Sequence, residues 1–417
     1  MSKTKPYSIS KFVVWEAFKR IKAKNGSAGI DDESLEEFEK NLKDNLYKLW
    51  NRMSSGSYFP PAVLLVEIPK QDGGLRPLGI PTVTDRIAQM VVKLTLEPSL
   101  EPHFHVDSYG YRPNKSAIEA IGVTRQRCWR YDWVIDVDIK GFFDNLNHEL
   151  LMRALKRHTD CKWVLLYIER WLKAPVQRKD GTLIDRDKGT PQGSVISPLL
   201  ANLFLHYAQD EWLRRNYPHN PFEKRYADDS VMHCKSEKEA QELRHALEAR
   251  LAACGLELHP EKTKIVYCKD EDRRGNYPNT KFDFLGYTFR SRRSKSRSGN
   301  YFINFSPAVS NNAKKAMRQT MRSWRLHLRS DKQLVDLSHM FNPILRGWKN
   351  YYSSYYKSEL YCVFRHLNRI LIRWAMRKYK RLRGHKRTAE YWLGRVARRE
   401  PRLFCHWQMG LKPAVRQ

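Results

Sequence analysis

The stretch Lys224-Arg225-Tyr226-Ala227-Asp228-Asp229-Ser230-Val231-Met232-His233 sets the tightest condition on what this chain can fold into. Short β-prone runs flank a small residue and two adjacent carboxylates. That pattern reads as a hairpin with acids at its tip, because Asp tolerates the backbone angles of a tight turn. Adjacent carboxylates repel each other. A solvated turn can leave them to water, whereas a divalent cation such as Mg²⁺ needs a few carboxylates gathered from more than one element. The run Tyr131-Asp132-Trp133-Val134-Ile135-Asp136-Val137-Asp138-Ile139 supplies the second element. Strand side chains alternate, so Val134, Asp136 and Asp138 share one face while Trp133, Ile135, Val137 and Ile139 share the other. Acids at alternate positions of an apolar strand are costly to bury unpaired. Two acidic strands of this kind suit a site where two metal ions clamp an in-line phosphoryl transfer.

Charge narrows the partner. Lys and Arg outnumber Asp and Glu by 76 to 45, a net charge of +31, which points to a polyanion whose phosphates the protein neutralises. Anionic membrane is the rival, but no apolar run approaches the roughly 20 residues of a spanning helix, and no signal peptide precedes Ser8. Apolar residues make up 41% of the 417, enough for two or three domains with real cores. The seven cysteines form no C-x-x-C pair, which argues against a disulfide framework or a zinc site and for buried thiols in a reducing compartment.

Three motifs in order carry a resemblance. Asp138-Ile139-Lys140-Gly141-Phe142-Phe143-Asp144, then Gly189-Thr190-Pro191-Gln192-Gly193-Ser194, then Tyr226-Ala227-Asp228-Asp229 resemble the successive palm motifs of reverse transcriptases. The surrounding sequence, from about Ser10 to the C-terminus, is most similar to the group II intron-encoded reverse transcriptase and maturase family. The resemblance implies a right-hand polymerase of mixed α/β class, with fingers, an antiparallel palm and an all-helical thumb. It divides the chain into an N-terminal extension (1–56), fingers and palm (57–289), a thumb or maturase domain (290–385) and a short basic tail with an abbreviated DNA-binding region (386–417).

It also implies a site. Asp138, Asp228 and Asp229 match the family's metal-binding acids and would hold two Mg²⁺ ions, with Mn²⁺ as a substitute and the Ile139 carbonyl completing one coordination shell. Asp136 shares the face of Asp138 and competes with it; the aromatic five residues on, Phe143, selects Asp138. Phe143 is then the residue that would exclude ribonucleotides, and Phe142 the core phenylalanine. Gln192 resembles the family glutamine that contacts the incoming nucleotide, and Lys262 the lysine beside the departing pyrophosphate. Phe282-Asp283-Phe284-Leu285-Gly286-Tyr287 resembles a primer grip.

The remaining stretches are read from their own residues. Val14, Phe18 and Ile21 behind Ser10 predict a capped first helix, and Leu35, Phe38, Leu42, Leu46 and Leu49 a second; both stripes are core. Val63 to Lys70 and Leu75 to Pro81 predict a hairpin around Asp72-Gly73-Gly74. It sets Lys70 and Arg76 where both reach one anion, or leaves them as solvated cations. Ser108-Tyr109-Gly110-Tyr111-Arg112-Pro113-Asn114-Lys115-Ser116 is an aromatic and basic loop suited to nucleic acid, or a structural loop with satisfied tyrosines, with Arg112 the candidate template contact. Asn147 and His148 are structural. Arg290 to Gly299 reads as a flexible basic linker or a segment that orders on RNA. Lys314, Lys315, Arg318, Arg322, Arg325 and Arg329 recur at helical spacing as a phosphate track, or as a solvated face; Lys314, Lys315, Arg318 and Arg322 are the candidate nucleic-acid contacts.

The expected function is RNA-directed DNA synthesis with intron maturase activity. The partners are group II intron RNA, an RNA template, a DNA primer or target, and deoxynucleoside triphosphates, in a bacterial cytoplasm. The rivals are an RNA-binding splicing cofactor without polymerase activity and a domesticated relative serving defence or repair. Nothing in the sequence fixes an oligomeric state.

Overall fold

The computed structural model describes residues 5–69, 74–218, 223–296 and 298–415, and they fall into two compact units that are not consecutive in the chain. The first comprises Met1–Ser116 and Ile135–Lys264, the second Ala117–Val134 and Ile265–Gln417.

In the first unit Ser10 caps the helix Lys11–Lys22, and Val14, Phe18 and Ile21 are buried along one face as expected. The second predicted helix is two. Leu35–Lys40 opens with a capping box between Ser34 and Glu37 and stops at Asn41, where Leu42–Ser55 begins. The break rotates the stripe, so Leu35, Phe38 and Leu49 are buried while Leu42 and Leu46 stay half-buried. Strands Val63–Pro69 and Leu75–Ile80 pair antiparallel, Leu64 opposite Ile80 through Pro69 opposite Leu75. Lys70, expected in this hairpin, lies outside the described residues.

Two buried helices back the strands of this unit. Val83–Leu100 begins at Thr82, which accepts the Asp85 N–H. Ser197–Leu205 is buried along almost its whole length and runs into a π-helical turn, His206–Asp210. Glu223–Tyr226 and Asp229–Cys234 form an antiparallel hairpin in which Tyr226 faces Asp229. The strand Trp133–Val137 lies beside Asp229–Cys234. Its apolar positions are buried and Asp136 is only partly so.

The second unit combines a three-stranded sheet with a helical bundle. Lys281–Phe284, Tyr287–Lys295 and Tyr301–Val309 are antiparallel neighbours, the last two paired from Tyr287 opposite Val309 to Lys295 opposite Tyr301. The segment expected as a linker is therefore mostly strand. Its composition suggests disorder because every apolar cue is missing. Its arginines nonetheless find partners on both faces of the strand: Arg292 is buried and donates to Glu359 at 3.2 Å, and Arg293 lies 4.1 Å over the Tyr301 ring.

The bundle is built from Asn311–Ser323, Leu334–Tyr352, Tyr361–Lys378 and Lys386–Arg399. Its core includes Trp324, Phe341, Phe364, Leu371 and Trp374, and extends to Leu393, Phe404, Trp407 and Leu411. The residues expected as a basic tail thus complete the bundle. Asn368 ties the end of the chain in: its amide donates to the Leu411 carbonyl and its oxygen accepts from Trp407 Nε1 and pairs with His406 Nε2. Burial pushes the His406 pKa down to about 3. The seven cysteines are free, and all but Cys161 and Cys362 are buried. Among the described residues no helix is long and apolar enough to cross a membrane.

Candidate active site

The acidic turn is held from beneath. Arg225 is 1% exposed; its guanidinium forms a two-pronged ion pair with Asp210, at 2.9 and 2.8 Å, and also donates to the Asn202 side chain and the Ala227 carbonyl. Asn202 in turn donates to the Gly110 carbonyl at 2.7 Å. Gly110 packs against the backbone of Tyr226 and Ala227, leaving no room for a Cβ. Burying a charge pair is justified only where geometry is good and the remaining donors are satisfied, as here. The left-handed residue of the turn is Ala227, at φ 59°, rather than either aspartate. A non-glycine residue in that region costs energy and persists only where surroundings fix it. The Asp107 carbonyl, which accepts from Arg225 N–H at 3.1 Å, supplies the surroundings together with Asp210, Asn202 and Gly110, and of these only Gly110 lies in a stretch read as functional from the sequence. The available signal is Arg225 itself, a cation at an inward strand position that demands a buried acid.

Asp138 follows its strand and is anchored through its backbone. Its carbonyl accepts from His259 N–H at 2.8 Å, while Lys140 N–H donates to the Glu257 carbonyl at 2.9 Å. These bonds flank the bridge between Ile139 and Leu258, so the Ile139 carbonyl is not consumed by that pairing. Lys262 Nζ stands 3.6 Å from the Asp138 carboxylate.

The three acids feel one another. Burial, then repulsion from Asp138, raises the Asp228 pKa, against the pull of Arg76 and Arg225. Asp229 keeps solvent contact, yet dehydration by the surrounding protein, followed by repulsion from Asp228 and Asp138, lifts its pKa to about 7. Lys262 and Arg76 oppose that rise. Among the described residues no three His, Cys, Asp or Glu side chains are yet drawn close enough to hold an ion. The donor set still fits a hard divalent cation: carboxylate oxygens of three aspartates, two of them held back from ionising by burial and by their neighbours' charge, with a spare backbone carbonyl beside them.

A second loop faces this cluster. The strand Leu75–Ile80 and the Gly189–Ser194 loop are joined twice, by Arg76 Nε donating to Gln192 Oε1 at 2.8 Å and Gly79 N–H donating to the Gln192 carbonyl at 2.7 Å. Thr190 N–H donates to the Phe143 carbonyl at 2.7 Å. Gly189 has φ 79°, and a Cβ there would lie 2.6 Å from the Asp144 carbonyl. Phe143 is buried, with its ring 5.3 Å from that of Phe142. Behind the loop Gln89 accepts from Val195 N–H at 2.8 Å and donates to Asp85 at 2.9 Å. Asp85 also accepts from Tyr58 and Trp171, and burial raises its pKa to about 6 against those donors. Asn147 caps the helix His148–Leu155, and His148 Nε2 bonds the Gly189 carbonyl, the structural roles expected of both.

The first unit therefore brings together Asp138, Asp228, Asp229, Lys262, Arg76 and Gln192, with Phe143 tied to the same loop. Arg112 is a correction. Its side chain is buried and donates to Glu101 and to the His105 and Ser108 carbonyls, so it braces its own loop and has no free fork for a template. In the second unit Lys314 is taken up by Glu359 at 2.9 Å, and is thus removed from the expected phosphate track. Lys315 and Arg322 are exposed and Arg318 half-exposed.

Residues 68–289 match the family described as reverse transcriptase (RNA-dependent DNA polymerase), and residues 314–392 match the group II intron maturase-specific domain. The chain belongs to the group II intron reverse transcriptase and maturase family. Protein YkfC of Escherichia coli is 33% identical over 64% of this chain and 77% of its own length. The group II intron-encoded protein LtrA of Lactococcus lactis is 31% identical over 48% of this chain and 33% of its own. A putative COX1/OXI3 intron 1 protein of Saccharomyces cerevisiae is 33% identical over 47% of this chain. The chain thus spans about a third or less of the last two relatives. By family it is an RNA-directed DNA polymerase.

Proposed function

We propose that the first unit extends a DNA primer on an RNA template and that the second anchors group II intron RNA to assist its splicing and mobility. The observation that carries the polymerase reading is the crowding of Asp138, Asp228 and Asp229, each on a braced backbone, with Arg76 and Gln192 across from them. Asp138, Asp228, Asp229 and the Ile139 carbonyl would hold two Mg²⁺ ions. Such ions would supply Lewis acidity at a primer hydroxyl and positive charge for a leaving pyrophosphate. Arg76 presents a guanidinium to the triphosphate, while Gln192 fixes that guanidinium and lines the nucleotide's base pair. Lys262, whose ammonium stands 3.6 Å from Asp138, would be a positive group for the departing phosphate. Phe143 stands beneath the sugar and disfavours a 2′-hydroxyl. In this reading the first hairpin belongs to the fingers, the acidic sheet to the palm and the bundle to the thumb.

Primer extension on an RNA template with deoxynucleotides and Mg²⁺ tests the proposal, with Asp228→Asn as the comparison. Extension by the wild type alone is the expected result. RNA binding with no extension by either protein would instead establish a splicing cofactor.

A further inference from the structure

The helical unit carries a cleft of about 410 Å³ that the polymerase reading does not use. Met321, Leu326 and Ile370 line it and are almost wholly buried. Arg322, Arg325, Arg373, Arg377 and His327 form the rest of its wall. Ile370, Arg373 and Arg377 recur at helical spacing on Tyr361–Lys378 and so share a face. Arg325 sits at φ 47°, a left-handed backbone that a glycine would adopt at lower cost. The chain instead holds an arginine there, and strain of this kind is characteristic of ligand clamps.

The cleft is framed before any ligand arrives. Trp374 Nε1 donates to the Arg329 carbonyl at 2.9 Å, and Lys378 Nζ to the Ser330 and Lys332 carbonyls at 2.9 and 2.6 Å. These bonds pin the segment after Leu326–Leu328 to the helix that carries Arg373 and Arg377. The charge inside is uncompensated. No carboxylate lines the cleft, and among the described residues none of its four arginines has an acidic partner within 4.0 Å. The excess is felt next door: His366 has a buried Nε2 without a partner. Burial, then Arg318, Arg322, Arg373 and Arg369, press its pKa down.

Guanidinium forks match phosphate oxygens in pairs, aromatic rings and guanidinium planes accept the face of a base, and the volume falls in the range of small-ligand pockets. We propose that this cleft receives one unstacked RNA nucleotide, its phosphate among Arg322, Arg325, Arg373 and Arg377 and its base against the exposed His327 ring and a guanidinium plane, above the buried Met321, Leu326 and Ile370. Bases inside a regular A-form helix are not available in this way, so a bulge or single-stranded turn must supply the nucleotide. The inference rests on the reading that this unit anchors RNA, and it adds what the unit recognises.

The test is fluorescence anisotropy with the full chain and two labelled RNA hairpins that differ only by one unpaired nucleotide in the stem. The wild type is expected to bind the bulged hairpin about tenfold more tightly. Arg373→Ala with Arg377→Ala is expected to erase that preference and to lower the salt slope by about 1 to 2, with an unchanged circular-dichroism spectrum. Arg373→Lys with Arg377→Lys keeps the charge and the aliphatic stems, and carries the test if the alanine variant fails to fold; it is expected to lose most of the preference with the forks. Equal wild-type affinity for the two hairpins, or full preference in the lysine variant, overturns the cleft and leaves RNA anchoring standing. Wild type that binds neither hairpin removes the anchoring reading and the cleft together.

Discussion

The acidic turn and the arginine cleft place like charges together in opposite senses. In the first, burial and then repulsion from neighbouring carboxylates raise the pKa of Asp228 and Asp229; in the second, four guanidiniums share a cavity that no acid lines. Each region relies on hydrogen-bonded groups beneath it to hold the repelling charges in place. For the acids this is the Arg225–Asp210 pair with Asn202. For the arginines it is Trp374, Lys378 and a run of backbone carbonyls. The difference is in depth. The acidic turn hangs on a buried ion pair, so its support is strong but fails badly when halved. The arginine cleft hangs on hydrogen bonds to backbone, each of modest worth. Like charges kept apart from counterions are a cost to folding, and they mark where each unit expects a charged partner.

Changes in the acidic turn should have the largest effects. Asp228→Asn should cut primer extension by at least about a thousandfold, roughly 4 kcal/mol of activation energy. In a chelator it should leave stability unchanged or slightly higher, because it relieves repulsion. Activity and thermal melting measured on the same preparation check both halves; a clear loss of stability would mean the acids are not in conflict. Arg225→Ala strands Asp210 in the interior and should destabilise the first unit by about 3 kcal/mol, read by chemical denaturation. Arg225→Met with Asp210→Leu should recover most of that stability without recovering synthesis, since the Ala227 carbonyl and Asn202 lose their donor.

Asp85 offers a smaller effect with a defined sign. Its folded pKa of about 6 lies above the ordinary carboxylate value near 4. The folded state therefore holds the proton more tightly, and the stabilisation is complete below about pH 4 and lost as pH rises through 6. The stability of wild type relative to Asp85→Asn should fall by about 2 kcal/mol across that interval, and a flat difference would show that burial does not govern this carboxyl. The smallest expected change is in Phe143→Ala, which should raise ribonucleotide incorporation about tenfold, roughly 1.4 kcal/mol of discrimination. Single-nucleotide extension assays with matched ribo- and deoxynucleotides measure it.

Motif order made the candidate site legible through the family resemblance, which picked out Asp138, Gln192, Asp228 and Asp229 before the fold set them in one unit. The first helix was legible from its stripe and cap. What escaped was whatever depends on a partner distant in the chain. Arg112 looks like a free cation until Glu101 and two carbonyls are seen to occupy it. Lys314 belongs to a charge stripe until Glu359 claims it. The run from Arg290 onward lacks apolar signals because its strand draws order from register and ion pairing. The end of the chain reads as basic surface, yet Leu393, Phe404 and Trp407 alternate with those charges and fill the bundle. Asp210 carries no local mark at all; only the inward position of Arg225 requires it.

The discontinuity of the second unit bears on how such proteins can diversify. Ala117–Cys128 is bound to distant segments: Tyr355 donates to the Ile118 carbonyl, Arg125 stacks over Trp129 at 4.3 Å, and Trp129 Nε1 donates to the Phe305 carbonyl at 2.8 Å. A crossover that exchanged everything after residue 264 between two relatives would leave that helix behind with its old owner. The incoming bundle would meet a foreign Ile118, Gly122 and Trp129 in its own interior. Viable chimaeras should therefore carry compensating changes within residues 117–134, and this short stretch should track the ancestry of the C-terminal half rather than that of its immediate neighbours.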